Sequence, residues 1–251
     1  MFGMSDPNQT LSQMLRYFDE GRHEMVEVMA SEFTSMLLAN KQRDGAMQAL
    51  LVKGIRILAE VLSIRKKHKL ALQATSVLLR ERKKLEKILT QSAPSLLEKL
   101  TPMEQDLRTI GHVHATAGKN SKAKKFFLKA NNATPGNIAA LLALCQVDGT
   151  KTKHANRLAA AVESAGPVIL ENGEFFIRPE HAPGSQIDPI LAVFETCERQ
   201  HPACVEQALR IRKECDEITS GIQAANARLQ SAMDSLTPKH DYYQYLSLIH
   251  I

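Results

Sequence analysis

The chain has 251 residues, 44% of them hydrophobic, with no tryptophan and only 5% aromatic residues. That composition suits helices packed through Leu, Ala, Met and Ile, and argues against a strand-rich sandwich. The net charge of +5 comes from 32 basic residues interrupted by 27 acidic ones, so it inclines only mildly toward acidic partners or nucleic acid.

The N-terminal MFGMSDPNQT lacks both a basic leader and an apolar run, so no secretory signal is visible. No apolar stretch approaches the length needed to span a bilayer. Four cysteines without an export signal suggest reduced thiols and a cytoplasmic location.

Helical periodicity dominates the chain. After an Asp6-Pro7 start, Leu11, Met14, Leu15 and Phe18 fall on one face, and Gly21 breaks the pattern. Met25, Val28, Met29, Phe33, Met36 and Leu37 then resume it, giving a helical hairpin. A second hairpin is predicted from about Asp44 to Leu89, turning in the basic stretch 64–69. A short segment around Leu96, Leu97 and Leu100 follows Pro94. Thr101, Pro102 and Glu104 then form a helix start, with a capping threonine, proline at the first helical position and glutamate three residues after the cap. Residues 118–120 make the next turn, and Ser121 is placed to cap a return helix carrying Ala123, Phe127 and Ala130. Thr134-Pro135 is expected to begin a helix through Leu141, Leu144 and Val147, and a small-residue helix follows over 155–165.

The character then changes. In VILENGEFFI, residues 168–177, Asn172-Gly173 separates two β-forming runs, which is a strong hairpin signal because a type I′ turn needs positive φ at both central positions. A loop containing Pro179, Pro183 and Gly184 follows. Helices resume at Asp188-Pro189, turn at residues 200–202, and continue to about Glu217. A separate amphipathic helix is predicted over 220–236. The last six residues, LSLIHI (246–251), back-translate to a transposon-end adapter used in preparing sequencing libraries, and are read as an assembly scar outside the fold.

The stretch 107–135 carries the most regular spacing. Leu107, Ile110, Gly111 and His114 lie on its first helix, Gly118 in the turn, and Ala123, Phe127, Ala130 and Pro135 on and after its second. This pattern resembles the tetratricopeptide repeat, a pair of antiparallel helices in about 34 residues. It departs from it with Leu107 where tryptophan is common and His114 where tyrosine is common. Ile55, Leu58, Ala59, Leu62, Ala71 and Thr75 repeat the spacing more weakly, and Cys145 falls 34 residues after Gly111. Ala59 and Gly111 are 52 apart, so the register is not uniform. The resemblance implies an all-α, right-handed α-solenoid over residues 8–165, since one repeat cannot bury its apolar face alone. A β-hairpin and loop (166–186) and a C-terminal helical hairpin with a capping helix (187–236) complete the expected organisation.

In that family the first helix of each pair lines a concave groove that takes a peptide or helix. The resemblance therefore points to Lys53, Arg56 and Glu60 from one unit and Gln105, Arg108 and His112 from the next. This mildly basic set suits an acidic segment or terminal carboxylate, held through charge-assisted bonds. The asparagines of the family's carboxylate clamps are missing, with Glu60 and His112 in their places.

The basic runs RKKHK (65–69), RERKK (80–84) and KNSKAKK (119–125) sit at turns and helix ends and would form a phosphate-binding edge if brought together. No aromatic is interleaved with them for base stacking. Cys197, His201, Cys204 and Cys215 invite a zinc reading, but Cys215 lies about 16 Å beyond Cys204 along one predicted helix, and buried thiols are the simpler expectation. No catalytic constellation, metal site or cofactor motif stands out. The sequence therefore predicts a non-enzymatic cytoplasmic scaffold for a protein partner. The alternatives are an RNA- or phosphate-binding adaptor using the basic turns, and a solenoid scaffold of a tail-anchored-protein targeting complex. For the last, the first hairpin and the β-hairpin are the expected docking elements.

Overall fold

A computed structural model describes residues 6–92, 103–149, 152–165, 168–178, 185–197 and 202–247. Among these, ten α-helices and one two-stranded antiparallel sheet are found, so the chain is all-α with a single small hairpin. It divides into two compact units, Met1–Leu158 and Ala159–Ile251.

The first unit begins with α1 (Pro7–Asp19) and α2 (His23–Ala39). Asp6 caps α1 by accepting a hydrogen bond from the Asn8 amide at 3.0 Å, with Pro7 at the first helical position. Gly21 turns the chain at φ +73°, a conformation that costs glycine nothing. The face that α2 buries is not the expected one. Val26, Ala30, Phe33 and Leu37 are buried, while Met25, Val28 and Met36 are exposed. Apolar residues surround α2 on nearly all sides, so two overlapping stripes compete and packing against α3 selects one.

Next come α3 (Gly45–Ile64) and α4 (His68–Ser92). Asp44 caps α3 through the Met47 amide at 2.7 Å, and the turn falls within the expected basic stretch, with Lys66 at φ 59°. Two glycines let α3 approach its neighbours. A Cβ on Gly54 would lie 2.7 Å from Phe33 of α2, and one on Gly45 would lie 2.7 Å from Leu89 of α4. Leu51, Val52, Ile55, Leu78, Leu85, Leu89 and Ile110 join these helices in one core. Ala59, Leu62, Ala71, Ala74 and Val113 form a second cluster at the far end of α3.

The hairpin α5 (Met103–Thr116) and α6 (Asn120–Ala133) turns at Gly118, φ +71°. The expected segment around Leu96 and the Thr101-Pro102 start lie outside the described residues. Ser121 does not cap α6: Lys119 is the capping position and no side chain bonds there. The next helix, α7 (Ile138–Val147), starts later than the Thr134-Pro135 expectation. Its cap is Asn137, whose Oδ1 accepts from the Ala140 amide at 2.9 Å. Helix α8 spans Thr152–Ala165, and the division into two units falls within it.

In the second unit, β1 (Val168–Glu171) pairs with β2 (Glu174–Ile177), matching Val168 to Ile177 and Glu171 to Glu174. Asn172 and Gly173 take φ 52° and 81°, as a type I′ turn requires. Helices α9 (Ile187–Cys197) and α10 (Pro202–Ser247) follow. The expected break near residues 217–220 is absent, and α10 runs on as one helix of 46 residues. Of the proposed scar 246–251, Leu246 and Ser247 continue α10 rather than lying outside the fold, and residues 248–251 lie outside the described residues, as do the loop 179–184 and His201.

Candidate functional site

The six residues singled out by the repeat resemblance lie on α3 and α5. The two helices run side by side in the same direction, since each successive polar link lies further along both of them. Arg56 Nη1 donates to Gln105 Oε1 at 2.8 Å. One turn on, the Thr109 hydroxyl donates to Glu60 Oε1, and after that Ser63 and Thr116 share a hydrogen bond of 2.6 Å. Parallel first helices in successive hairpins, each followed by an antiparallel return helix, are what stacked repeats produce.

This ladder uses much of the expected groove internally. Arg56 also lies 3.4 Å from Asp106 Oδ1, while Arg82 of α4 holds Asp106 Oδ2 at 2.9 Å. The Arg82 and Asp106 side chains are only 6% and 4% exposed, so this is a buried cluster. Burial pushes the Asp106 carboxyl up to about 6, against the opposing pull of Arg56 and Arg82. Arg108 is paired within its own helix to Glu104 at 3.0 Å.

Lys53 is half-buried and has no ion-pair partner among the described residues. His112 is solvent-open with its ring edge-on to Phe127, centroids 4.9 Å apart. Protein crowding, with the Arg108 charge adding to it, pushes its imidazole down to about 4. Gly111 admits the Phe127 ring, since a Cβ there would lie 2.4 Å from Phe127 Cε1. Phe127 thus fills the crossing of α5 with its own return helix.

A second buried network joins α3 to α4. Glu81, fully buried, accepts from Gln48 at 3.1 Å and lies 3.3 Å from Arg43. Burial alone drives this carboxyl upward, but hydrogen bonds from Lys84, Gln48 and Arg80 outweigh it and hold it below the usual carboxylate range. Asp106 and Glu81 were not identified from sequence. Their only local signal is an acid among apolar helix positions, and their partners come from distant parts of the chain.

The basic runs are only partly neutralised by neighbours. Arg65 and Lys67 pair with Glu27 at 2.8 and 2.7 Å. Arg80 and Lys84 pair with Glu81 at 3.0 and 2.9 Å, and Lys124 pairs with Asp148 at 2.8 Å. Cys197 and Cys204 are buried, and burial with Cys197 nearby raises the Cys204 thiol. The first hairpin leaves Leu15, Met25, Val28, Met36 and Leu38 exposed, whereas the β-hairpin buries Val168 and Ile177 and exposes Leu170. No helix among the described residues is long and apolar enough to cross a membrane.

No family model and no curated protein matches the chain. A solved structure described as the crystal structure of BtubC (BKLC) from P. vanneervenii is similar in fold. Its TM-score is 0.50 at 15% identity, over 84% of this chain and 84% of that one. At that identity the likeness concerns the fold alone, and it agrees with an all-α chain built from consecutive helical hairpins.

Proposed function

We propose that the chain is a non-enzymatic cytoplasmic scaffold, a right-handed solenoid of tetratricopeptide type. The α3–α5 face takes an acidic peptide or helix of a partner protein. The observation that carries this reading is the parallel pairing of α3 and α5, which leaves Lys53 and the exposed His112 available on the first helices. Arg56 and Arg108 shape the face through their ion pairs rather than offering free charge.

The RNA- or phosphate-binding alternative is weakened in part by the pairing of Arg65, Lys67, Arg80, Lys84 and Lys124 with acidic neighbours, while Lys66, Lys69, Lys83, Lys119, Lys122 and Lys125 have no ion-pair partner among the described residues. A role as scaffold in tail-anchored-protein targeting draws some support from the exposed apolar residues of the first hairpin.

The test compares wild type with a Lys53→Glu, His112→Glu double variant in affinity capture, with a nuclease-treated control. The expected result is loss of the specific protein partners while nuclease treatment changes nothing. An unchanged partner set in the double variant overturns the groove. Capture that collapses steeply with salt and disappears after nuclease favours the nucleic-acid alternative. Reversing Arg56 is unsuitable for this test because it breaks the buried cluster around Asp106.

A further inference from the structure

The distal half of α10 carries an interaction seam that this chain leaves uncovered. Cys204, Ala208 and Ile211 are buried within the second unit, but every residue from Thr219 to Ser235 is exposed. These include Ile222 at 40% and Leu229 at 61%. A lone helix of this composition is marginal in water, since Thr219, Ser220, Gly221 and Asn226 are weak helix formers. Its local supports include Lys213–Glu217 at 3.8 Å and Gln230–Asp234 at 2.9 Å.

Most of its apolar residues follow one pattern, with Ala224, Ala227 and Met233 lying off it. Cys215, Ile218, Ile222, Ala225, Leu229 and Ala232 follow one another at alternating intervals of three and four residues. Polar residues such as Asp216, Gln223, Gln230 and Asp234 occupy the opposite side. A 3.5-residue repeat is the pattern that keeps one helix in register with another. It does not suit an extended peptide or a nucleic acid.

We propose that this segment forms a two-stranded antiparallel coiled coil with the same helix of a second copy of this chain. Charge placement selects both the partner and the direction. Glu214 and Arg228 occupy equivalent positions flanking the seam, each immediately before a seam residue, and neither has an ion-pair partner among the described residues. Antiparallel pairing centred near Ser220 brings Glu214 of each copy beside Arg228 of the other, so one two-fold axis satisfies both pairs. The same register sets Ile218 against Ile222 and Cys215 against Ala225, matching large to large and small to small. In a parallel pair Glu214 faces Thr219 and Arg228 faces Met233, and no charge is matched. The overlap ends where Ile211 enters the core of its own unit, so it covers residues 212–228 through Cys215, Ile218, Ile222 and Ala225, and Leu229 and Ala232 lie beyond it.

Sedimentation equilibrium on the full chain tests this. The expected mass is twice 27.9 kDa, falling to the single-chain value in an Ile222→Lys, Ala225→Lys variant. Those positions are exposed, so thermal unfolding of the rest of the protein should not change. Glu214→Arg should weaken the dimer, and adding Arg228→Glu should restore it. For direction, an Ala225→Cys variant under mild oxidation should crosslink Cys215 of one copy to the thiol introduced at position 225 of the other, mapped by peptide mass. A single-chain mass for the wild type overturns the proposal, including the case in which the seam takes a helix from a different protein. So does a dimer that survives the double lysine variant. A crosslink between the two copies of Cys215 overturns the antiparallel register.

Discussion

Gly111→Ala probes the closest helix crossing in the first unit. The added methyl would lie 2.4 Å from Phe127 Cε1 and 2.6 Å from its Cδ1, about 1 Å inside ordinary carbon–carbon contact. Phe127 is 0% exposed, so its ring has no open space to enter, and the two helices must separate instead. Overpacking of this kind costs about 1–3 kcal/mol, and alanine's better helix propensity returns about 1 kcal/mol. With a ring rather than a flexible chain end in the way, the net loss is expected to be about 1–2 kcal/mol. Urea denaturation followed by far-ultraviolet circular dichroism measures it. Gly54→Ala, facing Phe33 at 2.7 Å, should lose somewhat less. Gly221→Ala is the control: it is also helical but has nothing within 4 Å, so its midpoint should not fall. Combining Gly111→Ala with Phe127→Leu should recover part of the loss relative to the sum of the single variants. An unchanged or raised midpoint for Gly111→Ala alone refutes the close-crossing argument.

Arg82→Leu removes the stronger partner of buried Asp106 and should destabilise the protein by about 3 kcal/mol, measured by the same titration. Protonation of two groups bends the stability–pH profile in opposite directions. Asp106 titrates at about 6 in the folded state against 3.8 ordinarily. The folded form therefore binds the extra proton in that window, and this group adds stability as pH falls from about 6 to 4. His112 titrates at about 4 folded against 6.5 ordinarily. There the unfolded chain binds the extra proton, so this group subtracts stability as pH falls from about 6.5 to 4. Asp106→Asn should thus steepen the acid loss of stability and His112→Gln should flatten it, and the same sign for both would refute the assignment. Asn137→Ala deletes the cap of α7 and should cost about 1 kcal/mol, whereas Ser121→Ala, which removes no cap, should be nearly neutral in the same assay.

Much of the fold was legible because it is written in local terms. Asp6-Pro7, Asp44, Gly118 and Asn172-Gly173 mark starts and turns through the backbone geometry of one or two residues, and the structure uses each as expected. Where two local readings were nearly equal, sequence could not choose. Asn137 outcompeted Thr134 as a cap, and α10 continued through residues that read as a break, because helix ends depend on small differences that neighbours decide. The candidate site shows the same limit. The repeat resemblance pointed to Arg56 and Arg108 on first helices, but did not reveal that Arg56 is tied to Gln105 and Asp106, nearly fifty positions away.

By itself the sequence determined the helical class and the hairpin at 168–177, since these follow from periodicity and from steric limits on single residues. The tertiary structure alone decided which stripe of α2 is buried, which arginines neutralise Asp106, and which part of α10 stays exposed. Those outcomes depend on side chains far apart in the chain meeting in a low-dielectric interior, where burial and pairing are settled together.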